Sequence, residues 1–420
     1  MVKEKVVVYG LTTEGYFMAC QMAIKGADVY LVDESSPTAI SLKPEVAKNC
    51  PNIDSLKEDE PLLSMVPIDV AISKADYLFF TPRIRKINQD LKAEVSSKFK
   101  DAIGSLKKGS TVIYCLATGF GGNIENVSLL KHKTGFDAGK SVYYYYFPLN
   151  GLSVTPSVIG SVKKIKDNKL LALLSTSKDK KTFVDISSAE CVHAINTVKR
   201  FSGICSILEV CKLVNNNTES NATFGDYKNM YLDDMMNGLD DLRLLGSSFE
   251  GSNPLLYLIN GSIKGINGYA KRLIEIIRIT LKNHDLKASK TKIILSWTLD
   301  KNQMRGEKVE MLNSITSKLR DYIGDVETAE GLLDIFHSDK TTIAIACTES
   351  DYKKIKEITQ NQDIFLINFF ETHTFEYFNT LPRIIYPFVI SFTIVPTSCL
   401  LSSISCTASC NSGSSFFPSV

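Results

Sequence analysis

The sequence predicts an α/β protein with a doubly wound parallel sheet at its N-terminus, and three early features carry that prediction. Val6-Val7-Val8-Tyr9 is a β-branched and aromatic run closed by Gly10, the pattern of a buried strand. A helical pattern follows over 14–25, with Gly26 placed as its C-cap. Residues 28–32 are a second apolar strand, ending at Asp33. Strand, helix and strand within roughly 30 residues make a βαβ unit, which demands parallel strands and a right-handed crossover.

The alternation continues. Residues 75–80 read as a strand ending at Thr81-Pro82, 89–106 as a polar helix, and 110–116 as a buried strand closing in a Gly-rich turn at Gly119, Gly121 and Gly122. This predicts a Rossmann-type domain over 1–186. The centre, 187–285, reads as helical. Val192, Ile195, Val198, Ile204, Ile207, Leu208 and Val210 recur at helical spacing through 187–213, and the Asn-rich stretch 215–221 breaks the pattern. A long linking helix is expected over 263–283, with Ile266, Leu273, Ile276 and Ile277 on its apolar side. A second, Rossmann-like α/β pattern fills 286–370, with strands at 292–297, 341–347 and 363–368, helices at 307–319 and 351–359, and a helix or turn at 332–336.

The remainder, 371–420, differs in character. No acid or base follows Arg383, and Ser, Thr and Cys dominate the end. The apolar run 384–394 is interrupted by Pro387 and bounded by Pro396, and is shorter than the roughly 20 apolar residues of a spanning helix. A tail outside the fold is expected, with contact to a membrane left open.

Hydrophobic residues make up 44% and charged residues 22%, an ordinary globular balance. The net charge of +2, with Lys and Arg spread along the chain, argues against a nucleic-acid partner. Ten cysteines stand singly with no CxxC pair, so neither a zinc site nor a redox motif is signalled. Charges flank the short apolar run at the N-terminus, so no export signal is read and the expected location is cytoplasmic.

A dinucleotide fingerprint needs a glycine for the tight turn, a second where backbone meets pyrophosphate, and a third where helix packs on strand. Gly10 and Gly15 take the first and third positions, and Thr12 takes the second. A Cβ therefore stands where the cofactor should approach, and weakened or displaced pyrophosphate binding is expected. Asp33 is placed to accept from a ribose hydroxyl, which favours NAD over NADP because a 2′-phosphate would meet like charge. Gly10, Gly15 and Asp33 equally suit an unoccupied βαβ turn.

Over 6–370 the order of features resembles the UDP-glucose/GDP-mannose dehydrogenase family. Glu60-Pro61-Leu62-Leu63 is similar to its E-P-x-L segment, and the strand before Thr81-Pro82 to its strand ending in proline. Ser188-Ala189-Glu190 resembles the start of the dimer-forming helical domain. Ile266-Asn267 and Lys271-Arg272, followed by strand 292–297, resemble the linking helix and the UDP-binding domain. Arg305 and Glu307 fall near the family's R-E pair. The resemblance implies NAD as cofactor, with Gly10, Thr12, Gly15, Asp33, Pro82 and Arg305 on its side of the site. It also implies a nucleotide-sugar substrate such as UDP-glucose and a homodimer.

Such enzymes oxidise a sugar alcohol to a carboxylate in two hydride transfers, through a thiohemiacetal on cysteine. The cysteine loop corresponds to 249–254, where Asn253 stands near the nucleophile's place and Ser252 lacks an evident base. An amide forms no thioester, and no cysteine lies between Cys211 and Cys347. His193 takes the position of the catalytic Lys, and Asn196 comes one residue before the place of its Asn partner. His193 can polarise an alcohol or aldehyde oxygen, or serve structure alone. Phe147-Pro148-Leu149-Asn150 supplies no catalytic acid, and Ser296 and Asp300 replace the third domain's Gly and Lys. Two functions follow: a divergent NAD-dependent nucleotide-sugar oxidoreductase limited to one hydride transfer, or a catalytically inactive relative acting as a nucleotide-binding or oligomeric scaffold.

Overall fold

The computed structural model describes residues 3–58, 63–85, 89–149, 157–174, 181–210, 231–249, 251, 253–283, 285–329, 340–358 and 364–368. The expectations for Glu60-Pro61-Leu62, Asn150, Ser252, 215–221, 332–336 and 371–420 lie outside the described residues.

The first sheet is built from β1 (Lys5–Tyr9), β2 (Asp28–Val32), β3 (Thr38–Leu42), β4 (Ser64–Pro67), β5 (Tyr77–Phe80), β6 (Thr111–Tyr114), β7 (Tyr143–Tyr146), β8 (Val158–Ser161) and β9 (Thr182–Asp185). Their order across the sheet is β4-β3-β2-β1-β5-β6-β7-β8-β9. The five strands from β2 to β7 in that order are parallel, as the βαβ pattern predicts. β1 and β5 are solidly apolar because both faces of the sheet are covered. The helices of this half are α1 (Thr13–Ile24), α2 (Pro44–Asn49), α3 (Ile53–Glu58), α4 (Ile68–Lys74), α5 (Gln89–Ile103), α6 (Gly122–Thr134) and α7 (Asn168–Leu174). The chain leaves β1 towards β2 and returns to β5 on the other side of β1. The topological switch point, where such folds bind ligands, therefore lies above the C-terminal ends of β1 and β5.

The sheet's edges depart from the all-parallel expectation. β3 runs antiparallel to both β2 and β4, and β8 antiparallel to β7. The β2–β3 link is a tight turn, in which Ser36 N–H donates to Asp33 O at 3.0 Å, and so short a link permits only antiparallel pairing.

The helical centre comprises α8 (Ile186–Val210), α9 (Leu232–Met236), α10 (Leu239–Gly246) and α11 (Pro254–Asn283). α11 begins earlier than its periodicity suggests, because Asn253 and Pro254 make a favourable helix start. Gly265 lets α11 lie close against α8, since a Cβ there would sit 2.4 Å from Cys205 Sγ. The second sheet is wholly parallel, in the order β11 (Val326–Ala329), β10 (Thr291–Ser296), β12 (Thr341–Ala346), β13 (Ile364–Asn368), with α12 (Glu307–Arg320) and α13 (Glu349–Ile358) as crossovers. The helical centre and this sheet share one core around Phe201, Leu208, Leu242, Ile266, Ile294 and Trp297. Met304, in the loop between β10 and α12, instead enters the core of the first sheet. Among the described residues no helix is long and apolar enough to cross a membrane.

Candidate functional site

The turn after β1 is shaped by contact with the end of β5. Gly10 has φ +128°, and a Cβ there would stand 2.0 Å from Thr81 O and 2.9 Å from the Cα of buried Pro82, so only glycine fits. Gly15 is equally confined, 2.5 Å from Thr81 Oγ1 on the same measure. Thr12 does not project into the crevice. It is wholly buried as the N-cap of α1, where Oγ1 accepts from Gly15 N–H at 3.1 Å and donates to Thr81 O at 3.1 Å. Its hydroxyl therefore occupies one of the amides at this helix end.

A second occupant comes from a distant part of the chain. Residues 301–305 lie on the N-terminus of α1, and Thr13 N–H donates to Asn302 O at 2.9 Å. Ile84 N–H donates to Met304 O at 2.7 Å, and Met304 N–H donates to Glu14 Oε2 at 3.0 Å. Arg83 donates to Leu11 O and Asn302 Oδ1 at 2.9 and 3.2 Å. Arg85 holds Lys301 O and Gln303 O at 2.8 and 2.9 Å. Burial raises the pKa of Glu14. A pyrophosphate needs the free amides of this helix end. The loop takes Thr13's amide, and a buried carboxyl lies beside it, so a pyrophosphate would meet an occupied amide here while the loop is docked.

Asp33 is turned to its own loop, where Oδ1 accepts from Ser35 N–H and Oγ–H at 3.0 and 2.7 Å. The neighbouring Glu34, passed over in the sequence, faces β5: its carboxylate accepts from Arg83 N–H at 2.7 Å and pairs with Lys98 at 2.7 Å. At the next helix along the sheet, Glu190 of α8 sits on the N-terminus of α6. It accepts from Gly121 N–H at 3.0 Å, Asn123 N–H at 3.0 Å and Asn123 Nδ2 at 2.7 Å.

Arg305 does not join the glycines but meets His193. Its guanidinium grips Asp241 through two bonds of 2.7 and 3.0 Å and donates to Leu149 O at 3.0 Å. His193 Nε2 lies 3.7 Å from Asp241 Oδ2 and 3.5 Å from Thr197 Oγ1. Burial lowers the histidine's pKa and Arg305 adds to that, outweighing the pull of Asp241, so the imidazole is neutral at pH 7 and the contact is no ion pair. Asp241 escaped the sequence reading. Its only local signal is the Asp240-Asp241 pair set among leucines on α10. Glu307 completes this cluster: burial, then the charge of Asp240, push its pKa well above the usual carboxyl range, and its Oε1 accepts from Gly238 N–H at 2.7 Å.

The other expected catalytic residues stand apart. Asn196 is exposed on α8. Asn253 caps α11, its Oδ1 accepting from Leu255 N–H at 2.9 Å. Cys20, Cys50, Cys115 and Cys347 are buried, with Cys20 pushed up to about 11, so these thiols are not nucleophiles. At the second sheet the Ser296 hydroxyl is buried without a hydrogen-bond partner, and Asp300 accepts from Asn302 N–H at 2.8 Å within the loop's own turn. Among the described residues no group of three or more His, Cys, Asp or Glu could hold a metal ion.

No protein-family model matches the chain, and no curated protein matches it in sequence. Solved structures do. A UDP-D-ManNAc dehydrogenase from Pyrococcus horikoshii is 17% identical, with a TM-score of 0.59 over 86% of this chain and 94% of that one. A UDP-glucose dehydrogenase from Pyrobaculum islandicum is 13% identical, with a TM-score of 0.60 over 87% and 94%. The UDP-N-acetyl-mannosamine dehydrogenase of Staphylococcus aureus is 16% identical, with a TM-score of 0.58 over 86% and 94%. The likeness is one of architecture: this chain has the fold of the nucleotide-sugar dehydrogenases.

Proposed function

We propose that this chain is a nucleotide-sugar-binding protein of the dehydrogenase fold that does not perform the cysteine-dependent, four-electron oxidation. One observation carries the reading. Asn253, near the place of the nucleophile, is committed to capping α11, and an amide forms no thiohemiacetal. Two cations near this site are already paired, which supports the reading: Arg305, near the place of the family's R-E pair, with Asp241, and Lys308 at the start of α12 with Asp233, each at 2.7 Å. NAD, which the resemblance implies, belongs to this reading only with residues 301–305 displaced.

His193 favours a second reading. A neutral, largely buried imidazole can take a proton from a sugar hydroxyl, which suits a single oxidation to the aldehyde. A panel of UDP- and GDP-sugars with NAD and NADP separates the two. The main reading expects a thermal shift with a nucleotide sugar and no reduced cofactor. One equivalent of NADH per sugar establishes the second reading, and two equivalents overturn both.

The partition 1–186, 187–285 and 286–370, a cytoplasmic location and a homodimer through α8 and α11 are parts of the same proposal. Ile195 on α8 and Tyr257 on α11, 64% and 66% exposed, are apolar residues that a partner would cover. Sedimentation as a strict monomer overturns the dimer.

A further inference from the structure

We infer that residues 301–305 are a built-in occupant of the first sheet's nucleotide crevice, so that a dinucleotide and this loop compete for the N-terminus of α1. The part of the inference that concerns a nucleotide rests on the crevice being a nucleotide site. The part that concerns undocking does not.

Three features make the loop a fitted occupant rather than a passing contact. Its hydrogen bonds are reciprocal: Met304 accepts from Ile84 N–H and donates to Glu14 Oε2, while Asn302 accepts from Thr13 N–H. Its apolar anchor is complete, because Met304 is wholly buried in the first sheet's core although it belongs to the chain of the second sheet. Its backbone is clasped from outside by Arg85, on Lys301 O and Gln303 O, and its Asn302 side chain is held from inside by Arg83, on Oδ1. The side-chain amide of Asn302 adds a bond to Asp54 Oδ1 at 3.3 Å. The Asn302 carbonyl thus takes the Thr13 amide, one of the groups that a bound pyrophosphate would otherwise use.

The loop runs from β10 to α12, and the next residue, Arg305, holds Asp241 of α10. Undocking therefore has to shift the second sheet's chain or strain the Arg305–Asp241 clasp. A ligand in the crevice and the docked loop are mutually exclusive states of one equilibrium, and the apparent affinity of the ligand falls by the fraction of molecules that are open.

The test is hydrogen–deuterium exchange on the full chain, for the wild type and Arg85→Ala, combined with calorimetric titration of NAD. Arg85→Ala removes the outer clasp without touching the glycine turn. The expected result is about tenfold faster exchange at the amides of Thr13, Ile84 and Met304, unchanged exchange at Val7 and Ile113, and NAD binding tightened by a similar factor. Exchange that stays at the wild-type rate at those three amides overturns the inference. So does faster exchange without tighter NAD binding, which would leave a fixed joint rather than a competitor. If Arg85→Ala fails to fold, Asn302→Gly removes the bonds to Arg83 and Asp54 and is read the same way. Failure of the nucleotide-sugar reading appears elsewhere, as no thermal response to UDP- or GDP-sugars in either protein.

Discussion

The N-termini of α1 and α6 both face the C-terminal end of the first sheet, and the chain satisfies them in opposite ways. At α6 the occupant is a side chain: Glu190, rooted in α8 and 5% exposed, brings a carboxylate onto the amides of Gly121 and Asn123. At α1 the occupants are the Thr12 hydroxyl and the carbonyl of Asn302, the latter on a loop from a distant part of the chain. Both ends carry the same partial positive charge. The difference is that a carboxylate fixed on a helix is part of the fold, whereas a neutral carbonyl on a loop can leave. A helix end that looks ready for a phosphate is thus closed for good at α6 and reversibly at α1.

The sharpest way to break this contrast is Glu190→Ala. The substitution leaves the buried amides and the Asn123 side chain without their acceptor, and hydrogen bonds to a charged group are the costly kind to lose. We expect a loss of about 3 kcal/mol in denaturant unfolding, with Glu190→Gln losing less because one oxygen remains. A loss as small as that of a surface substitution would make α6 as open to a ligand as α1, and the contrast would fall.

Thr12→Ala probes the other end. Its N-cap bond to Gly15 and its bond to Thr81 O disappear, and a loss of about 1 kcal/mol is expected, as for caps in general. The same variant separates the two causes of closure. If Thr12 itself kept nucleotides out, NAD binding would appear in Thr12→Ala with the loop still docked. Binding that stays weak while exchange at Met304 stays slow assigns the closure to the loop.

These two ends also show what the sequence could and could not convey. Gly10, Gly15 and the strands β1, β5 and β6 are legible because apolar runs and glycines act locally. Strands β4 and β11 are not, since each is short and half or more of its residues face solvent, which leaves no apolar run to read. Thr12 is legible as a Cβ at the second fingerprint position, but its side-chain direction, set by bonds to Gly15 and Thr81, is not. The pairing of Glu14 with Met304 spans 290 residues, and no periodicity encodes a contact of that range. Asp241 was hidden for the same reason: its partners His193 and Arg305 lie on other elements, and only folding brings the three together.

Glu14→Gln gives the smallest effect and the finest reading of the α1 end. Burial raises the Glu14 pKa above 4.5, so between that pH and its folded pKa the folded state binds a proton that the unfolded chain has released. The stability from that neutral carboxyl is fully present below pH 4.5 and is lost as pH rises through the folded pKa. Glutamine keeps an acceptor for Met304 N–H and cannot ionise. The variant is therefore expected to be slightly more stable than the wild type at pH 7, by less than Thr12→Ala loses, and indistinguishable from it below pH 4.5. Denaturant midpoints across that range decide it. A variant that is destabilised at neutral pH would mean that the charged carboxylate is what holds Met304, and the loop would then be fixed by charge just as α6 is.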